Sequence, residues 1–339
     1  MNLEKLIEGY LALNKNFNTL YIFPSINYKD KSTDYLYQLY KEILLKQEKI
    51  KIIPLNVLSH PKIFFKKLFN SRFILHYHWF EFQGIKSFVG ILWRFFWILL
   101  YRILGGKIVW TIHNQYPHNK KYIKINRFLQ CSMAKLSQRL HVHCNTAIDI
   151  ISDYLKINKD KFFVYTHPDF EVKLMDKISA RRSLNIDFDI PCFSDNDILF
   201  LMYGNIAKYK GIKEIIKIFN EQRLNKKLII AGSVKKGNRK YLDEINSMIE
   251  DTNKIFIINK FFNDDETSVL FNAVDFVIFN FDEILSSGSV ILALNYERKI
   301  IIPKIGCLSE LKSDKIIALE KENYLNDLSE YLKSLNENK

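Results

Sequence analysis

Short apolar runs rich in β-branched and aromatic residues alternate with longer amphipathic runs along nearly the whole chain, and this alternation restricts the fold more than any other feature. Residues 19–24, 50–55, 73–79, 107–114, 139–144 and 162–168 are the strand candidates of the first half. Those of the second half are 198–204, 227–232, 254–259, 275–281 and 299–303. Strands separated by helices run in the same direction and are joined by right-handed crossovers, so each half predicts a parallel sheet covered on both faces. Between the halves, residues 185–197 are rich in Asp, Asn and Pro and poor in helix formers. With 339 residues, 48% apolar and 14% aromatic, the chain has enough material for two cores. The expectation is therefore α/β: two tandem doubly wound, Rossmann-like domains, residues 1–185 and 186–325, followed by a C-terminal helix or tail over 326–339. Ligands of such sheets bind outside the carboxyl ends of the strands, here in an interdomain cleft.

Two strand-to-helix turns in the second half are suited to anions. Residues 286–289 read Ser-Ser-Gly-Ser and run directly into an apolar helix, where free N–H groups and the positive end of the helix dipole converge. Gly288 there lets a phosphate approach the backbone. Residues 203–211 read Tyr-Gly-Asn-Ile-Ala-Lys-Tyr-Lys-Gly, placing Lys208 and Lys210 just before a second helix. Together these turns imply a diphosphate site, with the lysines neutralising charge on a departing diphosphate. The P-loop pattern, the GxGxxG fingerprint and the Gly-x-Ser-x-Gly elbow are absent, which argues against ATPases, dinucleotide dehydrogenases and serine hydrolases.

Six of the eight histidines, His76, His78, His113, His118, His143 and His167, stand at or just past the ends of first-half strands, and none follows His167. His76 with His78, and His141 with His143, share strand faces, but no carboxylate or Cys joins either pair at ligand spacing, so no metal site is expected. Cys131, Cys144, Cys192 and Cys307 are scattered without metal-type spacing. Glu81 follows a strand end and reads either as a general base for an incoming hydroxyl or as a solvated loop glutamate. His113 and Asn114 end another strand as a titratable imidazole and an amide suited to sugar hydroxyls or a phosphate.

A net charge of +13 calls for an anionic partner. No zinc-finger or RNA-recognition signature is present, which disfavours nucleic acid. The segment 88–104 is aromatic and apolar but carries Arg94 and Arg102, too polar for a lone membrane span. Trp93, Trp97 and Tyr101 within it, and Lys62, Lys66, Lys67, Arg72 and Lys86 around it, suit a helix lying on an anionic membrane surface, and the alternative is a buried helix with snorkelling arginines. Residues 1–20 lack a secretory signal, so a cytoplasmic chain, peripheral on the inner face of the membrane, is expected.

Gly204 to Gly211, Ala231-Gly232, Asp275, Ser287-Gly288-Ser289 and the run Pro303 to Glu310 resemble the donor half of GT-B glycosyltransferases, most nearly the family-4-like group that builds bacterial capsule and exopolysaccharide. His76 to Trp79, Trp110 to Asn114, Pro117-His118 and Thr166 to Pro168 are similar to that group's first-domain motifs. The resemblance implies transfer of a sugar from a nucleotide diphosphate sugar to a lipid-diphosphate-linked or oligosaccharide acceptor, without metal or other cofactor. On it, Lys210 matches the lysine on the donor phosphates; Asn205 takes the usual arginine position, with Lys208 as the substitute. Leu285 and Ala293 stand where typical members carry paired glutamates, which leaves Asp282 or Glu283 for the donor sugar. The implied donor-binding set is Asn114, Gly204, Asn205, Lys208, Lys210, Glu283, Ser286, Ser287, Gly288 and Ser289. Catalysis falls to Glu81 or His113, and His76, His78, His118 and His167 line the acceptor side. A nucleotide-sugar epimerase of the same architecture and a non-catalytic scaffold are the alternatives.

Overall fold

The computed structural model describes residues 3–335 apart from 29–31, 33, 47–48, 70–71, 83, 118–120, 192, 195, 224 and 235–237. Among the expected site residues, His118 lies outside the described ones. The chain folds as two compact units, Met1–Pro168 and Asp169–Lys339.

The first unit runs α1 (Leu3–Leu11), β1 (Thr19–Phe23), α2 (Tyr35–Lys46), β2 (Lys51–Pro54), α3 (His60–Phe69), β3 (Phe73–Tyr77), α4 (Ile85–Ile103), β4 (Lys107–Thr111), α5 (Ile123–Leu136), β5 (Arg139–Val142), α6 (Asn145–Leu155) and β6 (Phe162–Val164). Its six strands pair in parallel in the order β2-β1-β3-β4-β5-β6. Leu6 and Tyr10 of α1 and Leu39, Tyr40 and Ile43 of α2 pack in one core with Leu20, Ile22, Ile74 and Val109 of the sheet. The chain steps outward from β1 to β2 and then returns to the far side of β1, so the strand order reverses between β1 and β3.

The second unit runs α7 (Lys177–Phe188), β7 (Ile198–Tyr203), α8 (Ile212–Asn220), β8 (Lys226–Ala231), α9 (Arg239–Asn246), β9 (Ile255–Ile258), α10 (Asp264–Ala273), β10 (Phe276–Ile278), α11 (Gly288–Asn295), β11 (Lys299–Pro303), β12 (Ile316–Leu319) and α12 (Tyr324–Ser334). Its sheet is also parallel, ordered β12-β11-β10-β7-β8-β9, with the reversal between β7 and β10. Ile212, Ile215, Ile216 and Phe219 give α8 a buried face at helical spacing. Burial of such side chains stabilises by about 1.5–3 kcal/mol each. Asn263 and Glu266 close a capping box at the start of α10.

All eleven expected strands form, within a residue or a few at their ends, and the doubly wound α/β class is observed in both units. A twelfth strand, β12, joins them beyond the expectation. The expected boundary at 185/186 falls inside the second unit, because Ala180 and Leu184 of α7 are fully buried in that unit's core beside Val269, Leu270 and Ala273 of α10. Nor do the described residues of the expected C-terminal segment, 326–335, stand apart: Leu328 and Leu332 of α12 are buried with Tyr324 in the other core of that unit.

Candidate functional site

Both strand-order reversals carry polar residues on the loops that follow the strands, which is where open α/β sheets hold their ligands. In the second unit the loop after β7 begins at Gly204, whose φ of 100° suits glycine. A Cβ on Gly232 would stand 1.9 Å from the Gly204 carbonyl oxygen, so the turn after β8 also requires glycine. The chain then makes a single 3-10 turn, Lys208–Lys210, before Gly211 at φ 56° opens α8. Lys208 is exposed, whereas Lys210 is only 6% exposed. The Lys210 ammonium donates to the Tyr203 carbonyl and lies 5.9 Å from the centre of the Phe281 ring. Burial lowers its pKa to about 7.

The loop after β10 meets this turn directly. Asp282 N–H donates to Tyr209 O at 3.0 Å. Asn280 Nδ2 donates to Gly211 O at 3.0 Å, and a Cβ on Gly211 would collide with that amide. Lys321 Nζ holds the Phe281 carbonyl at 2.7 Å. Cys307 N–H bonds Leu285 O, and Gly306, at φ 49°, allows the close approach of Ile284 O. Ser287 is the N-cap of α11 and makes no side-chain cap bond; its hydroxyl pairs with Ser289 at 3.0 Å. Gly288 is the first helical residue, so the first N–H groups of α11 open beside the Ser287–Ser289 hydroxyl pair. The structure therefore joins the turn carrying Gly204, Asn205, Lys208 and Lys210 to the loop carrying Glu283, Ser286, Ser287, Gly288 and Ser289. Asp282 and Glu283 are exposed, Ser286 half-buried. Leu285 and Ala293, at the paired-glutamate positions, are core residues at 4% and 0% exposure.

In the first unit, six histidines gather at the carboxyl ends of β3, β4, β5 and β6. His76, His78, His141 and His143 are buried, and His113 and His167 partly so. The Tyr165 carbonyl, which can only accept, lies 2.9 Å from His141 Nε2 and 3.0 Å from His143 Nδ1, so both nitrogens carry protons. His141 Nδ1 then accepts from Thr111 Oγ1 at 2.8 Å, and Thr111 in turn accepts from His76 Nε2 at 2.7 Å. That leaves His76 Nδ1 to accept from Tyr10 at 2.7 Å or Tyr40 at 2.5 Å. Tyr40 also reaches His78 Nε2 at 2.8 Å, and His78 Nδ1 lies 3.3 Å from His113 Nε2. A single carbonyl thus fixes the tautomers as far as His76. Beyond it two proton orders remain, set by whether Tyr40 donates to His78 or to His76, and they leave His113 Nδ1 respectively protonated or bare.

His113 stacks on Trp79 with centroids 4.5 Å apart, and Tyr35 sets its ring edge-on to His78, Trp79, His113 and His143. Desolvation lowers the pKa of His76, His78, His113 and His143, and that of His141 to about 4, with neighbouring imidazoles pushing several the same way. These five imidazoles are neutral at neutral pH. Among the described residues, no group of three or more His, Cys, Asp and Glu is placed to hold a metal ion.

His76 and His78, expected on the acceptor side, are 0% and 1% exposed and face tyrosines, so they support the site from within. His167 and Asn114 are half-buried, and His167 Nδ1 donates to Pro168 O at 2.8 Å. Glu81 is half-buried between Phe80 and Phe82, on a loop pinned where Phe82 N–H donates to Asn126 Oδ1 at 2.7 Å. Tyr10, Tyr35, Tyr40 and Thr111 were missed by sequence reasoning. Tyrosines on amphipathic helices read as core, and only their hydroxyl partners, on strands far away in sequence, mark them otherwise.

On α4, Phe88, Val89, Leu92, Trp93, Phe96, Leu99 and Ile103 form a continuous exposed apolar face, while Ile91, Arg94, Ile98 and Tyr101 are buried on the other. Tyr101, expected at an interface, is core: it is fully buried and its one hydroxyl proton is shared between the carbonyls of Phe73 and Lys107, at 3.3 and 3.2 Å. Arg94 stacks over Phe23 and Phe80 at 4.6 and 5.1 Å. Among the described residues no helix is long and apolar enough to cross a membrane.

No protein-family model matches the chain, and no curated protein sequence matches it either. Solved structures do. HepE of Anabaena in complex with UDP and glucose superposes with a TM-score of 0.67 at 13% identity, covering 95% of this chain and 90% of that one. Sucrose-phosphate synthase of Thermosynechococcus elongatus gives a TM-score of 0.60 at 9% identity, covering 99% and 83%. A glycosyltransferase of Rickettsia africae gives 0.57 at 16%, covering 94% and 89%. At these identities the likeness establishes the fold, which is that of the GT-B glycosyltransferases.

Proposed function

We propose that the protein is a glycosyltransferase that moves a sugar from a nucleotide diphosphate sugar to a lipid-diphosphate-linked or saccharide acceptor in surface polysaccharide assembly. The observation that carries this reading is the joined pair of loops at the β7/β10 reversal. Gly204, Gly232 and Gly211 clear the backbone there, Lys208 and Lys210 supply positive charge, and the amino end of α11 presents free N–H groups. Such a site stabilises the charge that develops on a departing nucleoside diphosphate, and no step of it calls for a metal ion. HepE, similar in fold, has been solved with UDP-glucose, which supports a uridine nucleotide as the first donor to try.

In the first unit the base that takes the acceptor proton is Glu81, or His113 in the proton order that leaves Nδ1 bare. His76, His78, His141 and His143 hold that imidazole in place. The exposed face of α4, beside a basic α3, supports docking on an anionic membrane, with the enzyme on the inner face of the cell membrane. Titration with UDP-, GDP-, TDP- and CMP-sugars, followed by thermal stability, tests the donor site. A ligand at a hundred times its dissociation constant adds about 2.7 kcal/mol. The expected outcome is a shift with one nucleotide class that is lost in Lys210→Ala; no shift with any of them would favour a non-catalytic scaffold.

A further inference from the structure

Between α3 and the amino ends of β1 and β2, a cavity of about 460 Å³ opens to the surface, lined by Tyr21, Lys51, Ile53, Phe65, Lys66 and Phe69. It lies at the opposite end of the strands from the histidine cluster. Its two sides differ in chemistry. Ile53, Phe65 and Phe69 are apolar, and Phe65 and Phe69 are 55% and 90% exposed. Lys51 and Lys66 supply two ammonium groups, and among the described residues no carboxylate lines the cavity. Lys66 is held in place: its Nζ donates to Tyr21 Oη at 2.8 Å and sits 5.5 Å from that ring's centre. A cavity with a cationic rim and an open aromatic wall fits a ligand that is anionic at one end and apolar at the other. Neither a free phosphate nor a neutral lipid matches both halves.

We propose that this cavity binds a single anionic phospholipid, its phosphate between Lys51 and Lys66 and the first part of its acyl chain against Phe65, Phe69 and Ile53. The inference rests on the membrane-docking part of the proposed function, because Phe65 of the cavity wall packs against Trp97, 6.4 Å between ring centres, on α4, the helix whose exposed face would meet the bilayer. The lipid then acts as a site-specific anchor in addition to the general adhesion of α4.

The test is calorimetric titration of the full chain with dihexanoyl-phosphatidylglycerol below its micelle concentration, beside dihexanoyl-phosphatidylcholine and inorganic phosphate. Saturable binding of the phosphatidylglycerol alone is expected, weakened by about tenfold or more in a Lys51→Gln/Lys66→Gln variant, which removes both charged hydrogen bonds to the phosphate. Both lysines are on the surface, so that variant folds. Equal binding of the phosphatidylcholine, phosphate binding as tight as the lipid's, or unchanged affinity in the double variant overturns the proposal. Flotation with phosphatidylglycerol vesicles separates it from the docking reading. Leu92→Glu/Phe96→Glu is expected to abolish flotation while leaving short-chain lipid binding intact. A wild-type chain that floats without saturable lipid binding sinks the cavity; one that binds the short-chain lipid and fails to float sinks the docking.

Discussion

Lys210 is the residue on which the proposed donor site turns. Packed against Gly204 and donating to the Tyr203 carbonyl, its ammonium has lost most of its water, and its pKa falls to about 7. The free protein therefore carries this lysine partly neutral at physiological pH. A nucleotide diphosphate sugar has two phosphate charges that do not titrate near neutrality, and seating them beside Lys210 favours the ammonium and raises its pKa. Binding then takes up a proton wherever the pH lies above the free-state pKa. Affinity is expected to be full below pH 7 and to fall as pH rises from 7 to 9, by up to about tenfold per unit. Calorimetry in two buffers of different ionisation enthalpy at pH 8 reads the proton uptake. In Lys210→Met binding is weaker and the pH dependence disappears. Wild-type affinity that is flat across that range would remove Lys210 from the phosphate site.

At the scale of elements, the first sheet ends in a hydrogen-bonded layer of imidazoles and tyrosines that folding has made neutral. His76, His78, His113, His141 and His143 each have a folded pKa below the unfolded value near 6.5, so the unfolded chain binds more protons at mildly acid pH. The stabilisation is complete above pH 6.5 and is lost as pH falls toward the folded pKa, at about 1.4 kcal/mol per pH unit for each imidazole that stays neutral. For His141, with its pKa at about 4, that amounts to roughly 3 kcal/mol. The second unit contains no histidine, and all four tryptophans, Trp79, Trp93, Trp97 and Trp110, belong to the first. Tryptophan fluorescence therefore reports the first unit alone. Its melting temperature is expected to drop steeply between pH 7 and pH 5, and a melting temperature unchanged over that range would refute the buried neutral network. Little of this layer was legible in the sequence. Paired histidines on β3 and β5 announced a cluster, but Tyr10 and Tyr40 join it through α1 and α2, and such contacts follow from packing rather than spacing. Strands were easier. Long runs such as those of β7 and β8 are β-rich and largely buried, whereas β12 is four half-buried residues at a sheet edge behind Ser-Asp-Lys. The glycine turns were legible because backbone conformation depends on residue type. Where Lys210 points was not, because Tyr203 and Phe281 decide it.

Over the whole molecule the charge is divided unevenly. Residues 1–168 carry 25 Lys and Arg against 10 Asp and Glu, a net +15, while residues 169–339 carry 25 against 27, a net −2. From Lys49 through Ile148 the only acidic side chain is Glu81, against 16 basic ones. A chain that needed positive charge only to hold its donor would place it in the second unit, around Lys208 and Lys210. Instead the excess lies in the unit with the exposed face of α4, the combination that adheres to an anionic bilayer. Near such a surface each basic residue is worth about 1 kcal/mol and is screened within a Debye length, which shrinks from about 30 Å at 0.01 M salt to about 3 Å at 1 M. In the proposed donor site, binding would rest on a few close contacts around the buried Lys210 and be screened much less. Raising salt from 0.05 to 0.5 M is therefore expected to release the protein from phosphatidylglycerol vesicles while changing nucleotide-sugar affinity only by a small factor. Co-sedimentation and calorimetry on the same preparation measure both. Equal adhesion to neutral vesicles, or donor affinity that collapses together with adhesion, would mean that the basic unit serves the nucleotide and not the membrane.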